Sequence, residues 1–296
     1  MNTLVLGGTY FIGRVLVELL LLNKFSVSIL NRGTMKSLHD DVQLIVADRH
    51  NHLDIKNGLR GKSFDVVIDL SGYNKDDVAI VLDSLEEEPG QYIFCSSIAV
   101  CSQPPVCWPI TEEHQKCSSA TENEYGYNKW QAEGYLFQYS QKNNRPISIV
   151  RPVYVYGPYD YSGRLDYIFE RIWEGRPIVM SGNGENIVQF GYVYDLCKAI
   201  VALIGNEAAY GQAFNISGRE LVTISQLIGL VSSVLGKAAD VEFNASISGE
   251  ASTLTSNHRF ADISKAERVL RIVPIMSLSE GIQTTHQWWL ANRRRS

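Results

Sequence analysis

No stretch of this 296-residue chain stays apolar for the length of a membrane span, which excludes a membrane-crossing helix. Its N-terminus carries no basic region ahead of the first apolar run and no cleavage site, so no signal peptide is expected. The five cysteines (Cys95, Cys101, Cys107, Cys117 and Cys197) are odd in number and form no CxxC. That speaks against a disulfide scaffold and fits reduced thiols in a cytoplasmic protein. Six histidines are present, but none opens an HExxH. His50 and His52 flank Asn51 as HxH in letter only, and Asp48 and Asp54 beside them read as turn acids, so no metal site is expected. Basic residues do not dominate. The net charge is −5, which gives no bulk attraction to a polyanion. The one basic run, Arg293, Arg294 and Arg295, reads as a solvated tail.

What the chain does have begins at once. Thr3 to Leu6 is a short apolar run that breaks into Gly7, Gly8 and Thr9, with Gly13 following. An apolar segment of helical character runs through Leu16 to Leu21, and Phe25 to Leu30 is a second strand-like run ending at Asn31, Arg32 and Gly33. Strand, glycine turn, helix and strand in this order open a dinucleotide-binding βαβ unit. The glycines let the chain turn tightly, and the helix N-terminus then presents N–H groups to a pyrophosphate.

The second strand should end at the cofactor ribose, where an acid would select NAD. Here Asn31 and Arg32 stand at that point. Asn31 can hydrogen-bond a ribose, and Arg32 can pair with a 2′-phosphate. The cofactor is therefore NAD or NADP, with NADP(H) favoured; the alternative is an arginine that only caps the strand edge. Val42 to Ala47 predicts a third strand ending at Asp48 and Arg49, beside the adenine. Phe64 to Leu70 predicts a fourth, running into Ser71, Gly72 and Tyr73 over the pyrophosphate. Asp76 to Leu85 reads as helix and Gln91 to Cys95 as the fifth strand.

That fifth strand ends in Ser96 and Ser97, at the sheet edge where ligands bind. The polar stretch from Ser102 to Glu124 is too long for an ordinary connection and reads as an active-site rim. In the helical segment that follows, Tyr125 and Lys129 are four apart and share a face. A cationic amine beside Tyr125 should favour its phenolate, making it an acid or base for a carbinol proton, with a serine hydroxyl across from it. Such a Tyr–Lys pair is equally at home on a solvated helix.

Taken in order, these pieces resemble the extended short-chain dehydrogenase/reductases of the NAD-dependent epimerase/dehydratase type. The motifs are GGTYFIG at Gly7 to Gly13, Ser96–Ser97, Tyr125 with Lys129, RPVYVYGP at Arg151 to Pro158, GNGENIVQFGYVYDL at Gly182 to Leu196, FNISG at Phe214 to Gly218 and ADISKAERVL at Ala261 to Leu270. The resemblance implies that Ser97, Tyr125 and Lys129 are catalytic, with Lys129 also on the nicotinamide ribose. It implies cofactor contacts from Gly7, Gly8, Thr9, Tyr10, Phe11, Ile12, Gly13, Asn31, Arg32, Asp48, Arg49, Leu70, Ser71 and Gly72. The expected fold is α/β: a Rossmann-type, doubly wound parallel sheet with a smaller, interleaved C-terminal lobe for substrate. The nucleotide domain would take residues 1–165 and about 187–218, and the substrate lobe 166–186 and 219–296.

The departures narrow the reading. Tyr10 replaces the usual middle glycine, as in a GGTxFIG branch that includes chloroplast stem-loop RNA-binding relatives. Ile98 and Ala99 stand where the dehydratases carry an Asp–Glu pair, which sets sugar dehydration aside. Tyr154 replaces the usual asparagine, and Val188 replaces the usual diphosphate-binding arginine, for which Arg164, Arg171, Arg176 or Arg219 are the compensating candidates. The resemblance implies an NAD(P)-dependent oxidoreductase or epimerase that moves hydride at a carbinol or ketone carbon. The alternatives are an NADPH-dependent tailoring reductase of a non-nucleotide molecule, and a dinucleotide-sensing or RNA-binding protein of the same fold. Its expected partners are a small-molecule substrate, with a nucleoside-diphosphate sugar among the candidates, and a second copy in a homodimer; neither membrane nor nucleic acid is expected. Further expectations place Asp195 at a helix start, capping it or near Arg151, and Trp288 and Trp289 in the core.

Overall fold

In chain order the first half alternates strand and helix. It runs β1 (Asn2–Leu6), α1 (Phe11–Leu22), β2 (Ser26–Asn31), β3 (Gln43–Val46), α2 (His52–Leu59), β4 (Val66–Asp69), α3 (Lys75–Ser84), β5 (Gln91–Cys95), α4 (Ala120–Asn143) and β6 (Ile147–Pro152). Then come β7 (Tyr154–Tyr156), α5 (Arg164–Glu174), β8 (Ile178–Met180), β9 (Ile187–Tyr192), α6 (Val193–Leu203), β10 (Gln212–Ile216), β11 (Leu221–Thr223), α7 (Ile224–Leu235), β12 (Val241–Phe243), α8 (Ser264–Leu270) and α9 (Leu278–Asn292). The computed structural model describes residues 1–35, 39–102, 104–243 and 257–293.

The seven-stranded sheet has the order β10-β6-β5-β4-β1-β2-β3, and every pairing in it is parallel. This is the expected Rossmann-type doubly wound sheet. The strands are apolar on both faces because helices cover both: Leu4, Val5, Leu6, Val66, Val67 and Ile68 are each fully buried. One apolar layer joins α1 and α6 to the sheet, and another joins α2, α3 and α4. The strand order reverses between β1 and β4, so a crevice opens at their carboxyl ends.

The second lobe has its own core, built from β7, β9, α5, α7 and α9. β9 pairs with β7 and β11 in a three-stranded sheet, and β8 pairs with β12. The stretch 187–218 is thus divided: β9 belongs to the small sheet, while α6 packs on α1 and β10 closes the edge of the large one. Trp289 is buried against Phe169 and His286, and Trp288 meets Tyr159 edge-on.

Three local expectations are corrected. Residues around His52 form helix rather than turn: the Asn51 side chain accepts from the N–H groups of Leu53 and Asp54, and Asp54 lies in the first turn. Arg151 does not meet Asp195. It forms a buried pair with Glu133, at 2.9 and 2.5 Å, while Asp195 accepts from the N–H of Met276. Arg293 is no solvated tail, since it pairs with Glu174 at 2.8 Å and lies against Trp173 and Trp289; Arg294 and Arg295 lie outside the described residues.

Candidate active site

Two cavities lie along the carboxyl edge of the sheet. The first, about 260 Å³, is bordered by Gly7, Thr9, Tyr10, Asn31, Arg32, Thr34, Asp48, Arg49, His50 and Ser71. The second, about 470 Å³, is bordered by Phe11, Ile12, Leu70, Ser96, Ser97, Tyr125 and Lys129 on one side and by Tyr154, Arg164 and Arg259 on the other. Tyr73 borders both.

The glycine loop is shaped by close packing. A Cβ on Gly13 would stand 2.0 Å from the Gly7 carbonyl oxygen, so only glycine lets α1 start so near the loop. Gly7 has φ +85°, and Gly8 packs against Ile29. Tyr10, in the middle-glycine position, precedes α1 with extended backbone and gives it no side-chain cap. The helix N-terminus therefore keeps its donors toward the cavity. Phe11 holds a left-handed φ of 37° and is buried edge-on against Tyr161.

At the end of β2 the Asn31 side chain accepts from the Gly33 N–H at 2.7 Å and donates to the Met35 carbonyl at 3.1 Å, so it shapes the loop that carries Arg32. Arg32 is exposed on the cavity wall with no ion pair among the described residues. Asp48 accepts from the His50 N–H. Arg49 borders the same cavity. Its guanidinium turns inward to both oxygens of buried Asp69, each at 2.9 Å, and to the Ser71 hydroxyl and the Asp77 carbonyl at 2.7 Å. Tyr92 also donates to Asp69, at 2.9 Å. Burial opposes the Asp69 charge, but the charge and hydrogen bonds of Arg49, with those from Tyr92 and Ser71, outweigh it and hold the carboxyl below its ordinary range. This cluster fixes the turn from β4 into Ser71 and Gly72, whose N–H groups also donate to Asp69. Sequence reasoning missed it because neither residue is marked by local spacing.

Ser97, Tyr125 and Lys129 come together at the second cavity. α4 is interrupted at Asn123, whose backbone is non-helical and whose side chain accepts from the Gly126 N–H. Tyr125 thus stands in the first turn of a fresh helix, close to the short 3-10 turn Ile98–Val100 that Ser97 caps. Lys129 is buried and donates to the carbonyls of Gly72 (2.7 Å) and Cys95 (2.6 Å). Two of its three donors are so engaged, and the side chain borders the second cavity. Burial lowers the Lys129 pKa. Burial first, then Cys95 and Tyr73, push the Tyr125 phenol up to about 12, with a hydrogen bond from Ser97 opposing. The Lys129 ammonium is 6.0 Å from the Tyr125 ring centre and is held by carbonyls.

Of the four arginines expected to replace the one missing at 188, only Arg164 borders the cavity. Arg176 pairs with Glu174, Arg219 with Glu267, and Arg171 lies over Tyr167. Arg259 borders it too and was missed. It is positioned by a bridge to Val188 that the sequence does not signal.

A glycine-loop crevice continuous with a Ser–Tyr–Lys cavity defines a dinucleotide-dependent enzyme of the short-chain dehydrogenase/reductase type. The chain belongs to the NAD dependent epimerase/dehydratase family, whose model matches residues 3–217. It is 30% identical, over 96% of its length and 78% of the relative's, to "Chloroplast stem-loop binding protein of 41 kDa b" of Arabidopsis thaliana. It is 32% identical to an uncharacterised UDP-glucose epimerase of Bacillus subtilis, over 53% of this chain and about half (49%) of that one. Among solved structures, a UDP-glucose 4-epimerase of Thermotoga maritima with UDP-glucose superposes with a TM-score of 0.88 at 20% identity, covering 99% of this chain and 100% of that one. A UDP-glucuronic acid 4-epimerase of Bacillus cereus, in complex with UDP-glucuronic acid and NAD, gives 0.83 at 24% identity over 98% and 99%. These two likenesses are of fold.

Proposed function

We propose that the protein is an epimerase-like oxidoreductase acting on a sugar-nucleotide-like substrate at the second cavity. The observation that carries this reading is the convergence of Ser97, Tyr125 and Lys129 on one wall of that cavity, beside the glycine-loop crevice. The crevice fits a dinucleotide because Gly13 leaves no room for a side chain and α1 begins uncapped. When bound, NAD(P) supplies the hydride acceptor or donor. Gly7, Thr9, Tyr10, Phe11 and Ile12 would face the pyrophosphate, Asp48 the adenine, and Leu70, Ser71 and Gly72 the opposite wall. The free donor of Lys129 would hold the nicotinamide ribose.

Tyr125 takes the proton from a substrate hydroxyl when a carbinol is oxidised and returns it when the ketone is reduced, while the Ser97 hydroxyl hydrogen-bonds the same oxygen. An epimerase uses both halves in one cycle; a reductase uses only the second. Family membership and relatives named as sugar-nucleotide epimerases favour the first. NADP(H) is favoured over NAD because Arg32, with no ion pair among the described residues, stands on the wall of the first cavity. Cysteines without a disulfide among the described residues fit a reducing cytoplasm, and a homodimer is expected, to be checked by mass in solution. The test of the function is to incubate the full chain with NAD⁺ or NADP⁺ and a panel of UDP-sugars, following C4 epimers by NMR. Epimer formation supports the reading, and failure to bind either cofactor at millimolar concentration rejects it.

A further inference from the structure

The lip that joins β7 to α5, residues 157–163, is bracketed by two glycines of positive φ, Gly157 at 143° and Gly163 at 72°. Joints of one or two residues absorb the backbone changes of a moving loop. Between these joints the lip is tied to the first turn of α1 at two points. The Arg14 guanidinium carbon lies 3.7 Å from the centre of the Tyr159 ring, a close cation–π contact. Phe11, the first residue of α1, meets Tyr161 with ring centres 6.1 Å apart and planes at 82°, an edge-to-face pair. One residue in each tie, Phe11 at φ 37° and Tyr159 at φ 69°, holds a left-handed backbone that residues other than glycine seldom adopt. Such backbone persists where the surroundings over-determine it, and it gathers at ligand clamps and switches.

The ties run from one cavity to the other. Tyr10, just ahead of α1, borders the first cavity, and Phe11 borders the second. From the lip, Asp160, Tyr161 and Ser162 border the second cavity. Asp160, between the two tied tyrosines, is buried. Its carboxyl accepts from the Ser162 N–H at 2.7 Å and forms no ion pair among the described residues, so it keeps acceptor capacity for a donor in the cavity. Tyr161 is 72% exposed, so burial does little to fix its ring, and Phe11 is its one aromatic contact among the described residues. A pyrophosphate at the N-terminus of α1 would accept from the N–H groups of that first turn, and so hold the turn that carries both Phe11 and Arg14. A lip already ordered through its ties costs less to order when a second ligand arrives, which couples the two sites.

We propose that the 157–163 lip is a strap that carries dinucleotide occupancy to the second cavity. Phe11 and Arg14 are its positioning residues: once the glycine loop is filled, they lock Tyr161 and Tyr159 against α1 and keep Asp160 over the second cavity. Each ligand then strengthens the other's binding by the same factor. This rests on the reading of the glycine-loop crevice as a dinucleotide site.

The test is hydrogen exchange of the full chain by mass spectrometry, free and saturated with NAD⁺ or NADP⁺, with binding followed in parallel by calorimetry. The amides of residues 159–163 should exchange about tenfold more slowly in the complex, within the usual span of a coupling between sites. In Arg14→Met and in Tyr161→Ala that slowing should be largely lost, while the amides of the glycine loop still slow because the dinucleotide still binds. Arg14→Lys, which keeps a cation over the ring, and Tyr161→Phe, which keeps the edge-to-face contact, should retain most of it. A purely structural role for these contacts would change exchange equally with and without dinucleotide. Lip amides indifferent to a bound dinucleotide, or a slowing that survives both disrupting variants, overturn the strap. Failure of either dinucleotide to bind rejects the site reading and the strap with it, and calorimetry tells that result apart from a dinucleotide that binds and leaves the lip unprotected.

Discussion

Gly126 lies directly under the carbonyl of Ala99: a Cβ placed on it would stand 1.9 Å from that oxygen. The contact presses the first turn of the restarted helix against the 3-10 turn after β5, and so sets Tyr125 beside Ser97. Gly126→Ala must push the two apart. Overpacking of this kind costs about 1–3 kcal/mol of stability. A shift of about 1 Å at a proton-transfer site costs on the order of 10² in rate. The expected result is a folded protein with cofactor binding kept and turnover down by about that factor, measured by calorimetry and steady-state kinetics.

How much of this was legible beforehand follows from where each signal resides. Gly7 to Gly13, β1 and β2 are contiguous, so the nucleotide loop could be read from spacing alone. Tyr125 and Lys129 are one helical turn apart, and their shared face is local geometry. Helix α2 was missed because it buries only Ile55 and Leu59 and carries Gly58, too weak an apolar stripe to outweigh its polar residues; its signal was the Asn51 cap. Arg49 with Asp69, and Arg164 with Arg259, are pairs made by tertiary packing between distant segments. The carbonyls of Gly72 and Cys95 that hold the Lys129 ammonium come from two other strand ends, so the surroundings of that amine are not readable from the Tyr125–Lys129 spacing.

Asp69 is fully buried, with Arg49 and Tyr92 as its partners. Asp69→Asn leaves Arg49 as an uncompensated buried charge and should cost about 3–5 kcal/mol in urea unfolding at neutral pH. The Asp69 pKa is depressed in the fold, so its contribution is fully present above the ordinary aspartate value of 3.8 and is lost as pH falls below it. The stability gap between wild type and variant should therefore narrow below about pH 4. A gap constant down to acid unfolding would show that the pair does not hold the fold.

The proposed preference for NADP(H) rests on Arg32. With its guanidinium on a 2′-phosphate, Arg32→Gln should weaken NADP⁺ by about 1.5–3 kcal/mol, the worth of a charged hydrogen bond, and leave NAD⁺ nearly unchanged. Fluorescence titration of both cofactors checks this. A tenfold preference of the wild type for NAD⁺ would remove the 2′-phosphate assignment.

The stem-loop name of the Arabidopsis relative invites an RNA measurement. A net charge of −5 gives this chain little of the electrostatic footprint that RNA binding draws on. Filter binding at physiological salt is expected to give no sequence-dependent affinity in the micromolar range, and such an affinity would place RNA ahead of hydride chemistry.

Tyr125 is the acid–base group of the proposed reaction, and its variant tests role and environment together. Tyr125→Phe removes one hydroxyl at the mouth of the second cavity. Cofactor affinity and fold should be kept, and turnover should fall by about 10²–10⁴, the worth of a positioned acid–base group. Its environment is read from the cofactor-free protein. Burial first, then Cys95 and Tyr73, push the phenol up to about 12. Because that pKa is raised above the ordinary tyrosine value, its contribution to stability is complete below about pH 10 and declines as pH rises toward 12. Spectrophotometric titration of wild type against variant should show one phenol fewer, absent from the alkaline end of the curve. A missing phenol that titrates near neutrality would mean that Lys129 does act on Tyr125 as the sequence suggested. Unchanged turnover in the variant would take Tyr125 out of the reaction altogether.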